Sequence, residues 1–289
     1  MSQVDSDTLI DRRRLKRRLG MWRLLAVLAV MGAAVLAIDS EEDLFGRPYV
    51  ARLWISGFIS DDAERDEAIA KLAKDDDVKA VLVRIDSPGG SVGGGEALYR
   101  TLSALARRKP TVAVIGSLGT SAAYMAALGT ERIFARESSV TGSIGVIMQT
   151  ADVTGLLEMV GVRPETIKSA PLKAVPNPLE RLTPEGRAAS EAVVRDLFEQ
   201  FVDMVVERRG LDRTEALRLA DGRVFTGRQA KSERLVDDTG GETAARAWLY
   251  ENKAVSTTLR AVDRRPGDDR SRIGPVAPTQ GKYHFTVRL

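Results

Sequence analysis

The sequence predicts an α/β fold built on a largely parallel sheet. Short apolar, β-branched runs alternate along the chain with stretches of helical spacing. Two of those runs, Ala80-Val81-Leu82-Val83-Arg84-Ile85 and Thr111 to Ile115, are apolar almost throughout, as strands covered on both faces are. The 289 residues, 44% of them hydrophobic, allow one large domain or two small ones with an ample core.

The N-terminal element is a candidate membrane anchor. An unbroken apolar stretch runs from Leu24 to Ile38, with Gly32 as a weak helix former. With Gly20, Met21, Trp22 and a snorkelling Arg23, residues 20–38 make a 19-residue span, close to the ~20 residues that cross a bilayer core. Residues 1–19 form a basic segment. Residues 1–23 carry seven basic and three acidic groups, a net of +4 in a chain whose total is +3. The remainder is therefore close to neutral. This asymmetry argues against a basic nucleic-acid-binding face and for a topology signal. The cluster precedes the span, which puts the N-terminus in the cytoplasm and everything after Asp39 outside, periplasmic in a Gram-negative cell. The rival reading is a cleaved signal peptide, since Val35-Leu36-Ala37 resembles a small-residue cleavage site.

Residues 39–47 read as a polar linker, and a folded domain is expected over 48–254. Tyr49 to Ile55 has strand propensity, Asp62 to Lys74 suits a helix, and Lys79 to Ile85 reads as a buried strand. A loop, Asp86 to Ser91, leads to a helix over Gly95 to Arg107. Thr111 to Ile115 is a strand and Ser121 to Leu128 a helix; Ile133 to Ala135 and Ile144 to Met148 read as short strands. A long helix is expected from Thr183 to Arg209, with Thr183 as cap and Pro184 at the first helical position. A short helix with turns follows over Thr214 to Leu235, and a helix over Thr243 to Tyr250 closes the domain. Residues 255–289 are rich in Arg, Asp, Pro and Gly and are expected to form a largely flexible tail.

The chemistry is bounded by what is missing. There is no cysteine, hence no disulfide and no cysteine nucleophile. The one histidine, His284, is sixth from the C-terminal end, so a Ser-His-Asp triad is not expected. Ser121, in Gly119-Thr120-Ser121-Ala122-Ala123-Tyr124, opens a helix, where the dipole and free backbone N–H groups favour a nucleophile. A serine there is also an ordinary N-cap. Ser87-Pro88-Gly89-Gly90 follows a strand and precedes a helix. Its glycines let N–H groups converge on an oxyanion, or simply make a turn. Lys173 is the candidate base. A lysine with a pKa of ~10.4 is almost never neutral at pH 7, so a base lysine must be desolvated. Pro171, Leu172, Ala174, Val175 and Pro176 offer an apolar setting, although a solvated loop lysine fits the same residues.

Taken in order, the segments Asp86-Ser87-Pro88-Gly89-Gly90, Lys109-Pro110-Thr111-Val112-Ala113, Thr120-Ser121-Ala122-Ala123-Tyr124, Thr141-Gly142-Ser143-Ile144-Gly145-Val146, Lys168-Ser169-Ala170-Pro171-Leu172-Lys173 and Ala220-Asp221-Gly222-Arg223-Val224-Phe225-Thr226-Gly227 resemble the short-form signal peptide peptidase A family of serine peptidases, family S49. The resemblance covers residues 48–250. It implies a Clp protease/crotonase-like fold of stacked β/α units around a spiral sheet. It implies a serine endopeptidase with Ser121 as nucleophile, Lys173 as general base and Gly89 and Ala122 at the oxyanion hole. Ser169 is the residue that would orient the lysine. It further implies signal peptides or other extended polypeptides as substrates, a homo-oligomeric ring tethered to the inner membrane with active sites shared between neighbours, and no metal or cofactor. Two departures stand out: Ala122 and Ala123 replace family glycines after the serine, and Ala170 replaces another. A crotonase-type acyl-CoA hydratase or isomerase, or an inactive membrane scaffold, are the alternatives.

Overall fold

The computed structural model describes residues 20–32 and 48–264. The chain divides into two units, Met1–Pro48 and Tyr49–Leu289. In the first, residues 20–32 are helical. The rest of the expected anchor at 20–38 lies outside the described residues, as do the basic segment 1–19, the linker 39–47 and His284. Among the described residues no helix is long and apolar enough to cross a membrane.

The second unit runs β1 (Tyr49–Ile59), α1 (Ala63–Leu72), β2 (Val78–Gly90), α2 (Val92–Ala106), β3 (Thr111–Thr120), α3 (Ala122–Leu128), β4 (Arg132–Ala135), β5 (Val140–Gly142), α4 (Thr154–Met159), α5 (Pro184–Arg209), α6 (Arg213–Leu219), β6 (Val224–Thr226), α7 (Gly227–Ser232), β7 (Asp238–Thr239), α8 (Glu242–Lys253) and β8 (Ala261–Arg264). The main path of the sheet is β6-β5-β3-β2-β1-β8, with β4 on β3 and β7 on β4. Every pairing is parallel except β5 with β6. β3 divides its partners: Val112 to Ile115 pair with β4, and Leu118 to Thr120 pair with β5. The sheet therefore turns along β3, which is how it acquires its spiral.

The apolar runs of β2 and β3 are explained by burial on both faces. Val81, Val83, Ile85, Ala113 and Ile115 join a large core with Leu98, Leu102, Tyr124 and Phe201. Their neighbours in sequence, Leu82, Val112 and Val114, face the other way onto Ala245 and Leu249 of α8. Side chains alternate across a strand, so both halves of the alternation must be apolar here. On the α8 side Glu242 ties the strands down: it accepts from Arg52 Nη2 at 2.7 Å and from Arg84 Nη1 at 3.1 Å. The helix α5 begins as its sequence requires, with Thr183 Oγ1 accepting from the Gly186 N–H at 3.1 Å, and ends at Gly210 with φ 60°.

Four expectations need correction. Residues 144–148 are not a strand; the strand at that point is β5, Val140–Gly142. The segment Asp86 to Gly90 continues β2 rather than forming a loop, paired with Phe58 and Ile59 at its end. The helix α4 was not foreseen; its N-cap residue Val153 makes no side-chain cap, and the Thr154 N–H donates instead to Asp152 Oδ1 at 3.0 Å. The expected flexible tail at 255–289 is ordered in its first part: Val255 is buried, and Ala261–Arg264 form β8, parallel to β1.

Candidate active site

The C-terminal ends of β2, β3 and β5 converge, which in open α/β sheets is where ligands bind. Ser121 follows β3 without a gap and stands at the N-cap of α3. Its backbone is held at φ 54° and ψ −124°, a region that L-residues avoid at a cost of about 1–3 kcal/mol. Its N–H donates to the Gly142 carbonyl at 2.9 Å, which fixes the turn against β5. The side chain does not cap the helix. All seven residues of α3 behind it are buried, whereas Ser121 is partly exposed. It stands on the wall of a cleft of about 870 Å³, with Pro88, Gly90, Val92, Ser143, Val146, Ile147, the α5 residues Glu191, Val194, Arg195 and Phe198, and Ala220 to Gly222.

Gly89 lies against the serine. Its φ is +106°, and a Cβ there would stand 2.9 Å from Ser121 Cβ, 2.8 Å from the Thr120 carbonyl and 3.1 Å from the Ala122 nitrogen. Only glycine fits. The Gly89 N–H donates to Ser87 Oγ at 3.1 Å, and Ser87 Oγ donates to the Gly57 carbonyl at 2.6 Å. The Ala122 N–H opens the first turn of α3, where an amide has no partner within its own helix.

The alanines at the family's glycine positions carry no backbone strain. Ala122, Ala123 and Ala170 are absent from the positive-φ residues of the described chain. The extra methyl of Ala122 is accommodated from α2: a Cβ at Gly95 would sit 2.8 Å from Ala122 Cβ. The missing Cβ of Gly95 leaves the room that the Ala122 methyl takes.

Lys173 and Ser169 are both exposed, and neither lines the Ser121 cleft. Gly89 and Ala122 adjoin Ser121 within one chain. From Gly145 to Glu185 no residue is buried at all. Along that segment nine large apolar side chains are exposed, Ile147 at 86% and Ile167 at 94% among them.

Ser143 is a cleft residue that motif reading did not single out. It has φ 50°, and its N–H donates to the Arg223 carbonyl at 2.8 Å. The signal was available in its position directly after Gly142, whose carbonyl holds Ser121. On the far wall the Arg223 guanidinium, hydrogen-bonded to Asp221, holds that carboxyl below the usual range. Beneath the nucleophile, burial pushes the Tyr124 phenol well above its ordinary value, and its hydroxyl donates to the Leu235 carbonyl at 2.7 Å. Tyr124 is thus a neutral anchor for α3.

The model of peptidase family S49 matches residues 103–256. This chain belongs to peptidase family S49. The family is one of serine peptidases, which sets aside the acyl-CoA alternative. A candidate protease of Methanocaldococcus jannaschii is 32% identical over 249 residues, covering 80% of each chain. A candidate signal peptide peptidase A of Enterococcus faecium is 29% identical over 243 residues, covering 79% of this chain and 71% of its own. Among solved structures, the 1510-N membrane-bound stomatin-specific protease superposes with a TM-score of 0.52 at 13% identity, over 77% of this chain and 100% of that one. That likeness shows that the S49 chain shares the α/β fold of this protease.

Proposed function

We propose that this S49 peptidase is a membrane-anchored endopeptidase in which Ser121 of one copy works with Lys173 of a neighbouring copy. Its substrates are remnant signal peptides and other extended polypeptides. The observation that carries this reading is the segment from Gly145 to Glu185, which buries nothing within its own chain yet exposes nine large apolar side chains. Exposed apolar side chains gathered along one segment mark an interface, and the ordering of 41 residues needs burial from somewhere. Packing on a second copy supplies it, and supplies the dry setting a base lysine needs. A homo-oligomeric ring satisfies this for every copy at once. The apolar run before residue 39 and the membrane-bound relative support a tether in the inner membrane, with the catalytic unit outside the cytoplasm.

In this reading the neutral Lys173 amine takes the Ser121 proton as Oγ attacks the scissile carbonyl. The Ala122 N–H and the Gly89 loop stabilise the oxyanion, with the Gly89 N–H turning from Ser87 as substrate enters. The leaving amine takes the proton from Lys173, and an acyl-enzyme remains. Lys173 then removes a proton from water, which attacks the acyl carbon and releases Ser121. Fluorophosphonate labelling tests the assignment. Adduct on Ser121 in the wild type, lost in Lys173→Ala, is expected; peptide turnover by Ser121→Ala at the wild-type rate would refute it.

A further inference from the structure

The turn that carries Lys173 is tied by a knot centred on Glu180. The Lys168 ammonium pairs with the Glu180 carboxylate across twelve residues, and the Lys168 side chain is only 14% exposed in a segment that holds no buried residue. Thr166 and Asn177 approach the same carboxylate. Asn177 Nδ2 donates to the Ala174 carbonyl at 2.9 Å, and Asn177 Oδ1 accepts from the Leu179 N–H at 3.0 Å. Inside this frame the Lys173 N–H donates to the Ala170 carbonyl at 3.0 Å, and Ala174 is held at φ 60°. The chain of contacts runs from Glu180 through Asn177 to the residue beside Lys173. A loop with no buried residue has few means of fixing its shape, and a clasp at its base is one of them.

We infer that Glu180, with Lys168 and Asn177, is a positioning residue that sets the turn from which Lys173 is presented to the nucleophile. This rests on the reading of Lys173 as the general base. Catalytic geometry is unforgiving: a displacement of about 1 Å costs on the order of a hundredfold in rate. The cavity, the charged wall of α5 and the exposed apolar segment belong to the site and assembly already described. Glu180 is not among the residues that line the Ser121 cleft, so its effect passes through the loop.

The test compares the full-length Glu180→Gln enzyme with the wild type in steady-state peptide hydrolysis, with oligomeric state measured in parallel. The expected result is a kcat lower by about tenfold to a hundredfold, with KM within about twofold and assembly unchanged. The charge exchange Lys168→Glu with Glu180→Lys should exceed either single reversal in kcat by about fivefold, which a merely structural loss would not produce. A Glu180→Gln kcat within about twofold of wild type, with Lys173→Ala inactive, overturns the positioning role and leaves the base assignment standing. Wild-type turnover by Lys173→Ala overturns both. A fall in kcat that tracks dissociation of the assembly, or an exchange no better than the single reversals, overturns the positioning role alone.

Discussion

Replacing Ser121 with glycine should kill the enzyme and stabilise the fold. At φ 54° and ψ −124° the residue sits where a Cβ is costly and glycine is at ease. Releasing that strain is worth about 1–3 kcal/mol. Against it stands the freedom glycine adds to the unfolded chain, about 0.5–1 kcal/mol. The net is a gain of about 1 kcal/mol, or about 2–4 °C in melting temperature for a unit of this size. The proper reference is Ser121→Ala, which also lacks the hydroxyl but keeps the Cβ. The difference between the two variants therefore isolates the backbone term. Calorimetry on both proteins, at matched concentration and oligomeric state, reads it directly. Should Ser121→Gly melt at or below Ser121→Ala, the turn is not strained and the argument from φ and ψ fails.

Two further outcomes follow from packing and charge. Gly95→Ala drives a methyl to 2.8 Å from Ala122 Cβ and 3.1 Å from Met125 Sδ, and should destabilise by about 1–3 kcal/mol in chemical denaturation; adding Ala122→Gly should recover most of that loss, whereas simple additivity would refute the exchange of space between α2 and α3. Burial pushes the Glu242 carboxyl upward, but the hydrogen bonds and charges of Arg52 and Arg84 outweigh it and hold the group below its usual value. Its contribution is therefore complete above the unfolded carboxylate pKa of ~4.3 and disappears as pH falls through the lower folded value. Glu242→Gln should cost about 1 kcal/mol near neutral pH, the pair being partly screened. The gap to wild type should close under acid, and thermal melts at a series of pH values would show a constant gap if the ion pair contributes nothing.

Much of the fold could be read from residues alone because its strands are buried on both faces. The runs around Leu82 and Val112 have no other use. The long helix α5 announces itself through Thr183 and Pro184. The error at 144–148 is instructive. Ile144 is buried, but Val146 and Ile147 line the cleft beside Ser121. Apolar composition there reports a surface that meets substrate or a neighbour, and pattern reading cannot tell that from a strand. The strand β8 escaped notice because it is short, half-exposed and set in a charged stretch. At the site, Ser121, Gly89 and Ala122 were singled out through ordered motifs and the family resemblance, and the pairing of β2 with β3 sets Gly89 against Ser121 across 32 residues. Lys173 belongs to a segment that holds no buried residue from Gly145 to Glu185, so no packing rule places its amine.

Mixing two inactive enzymes tests that point most directly. Ser121→Ala and Lys173→Ala copies, co-assembled in equal amounts, put an intact serine beside an intact lysine only at junctions between unlike copies. The account predicts that peptide hydrolysis returns in the mixture, to about a quarter of the wild-type rate per copy if copies mix at random. Two variants that stay inactive in a demonstrably mixed assembly would contradict it and return the search for the base to the chain that carries Ser121.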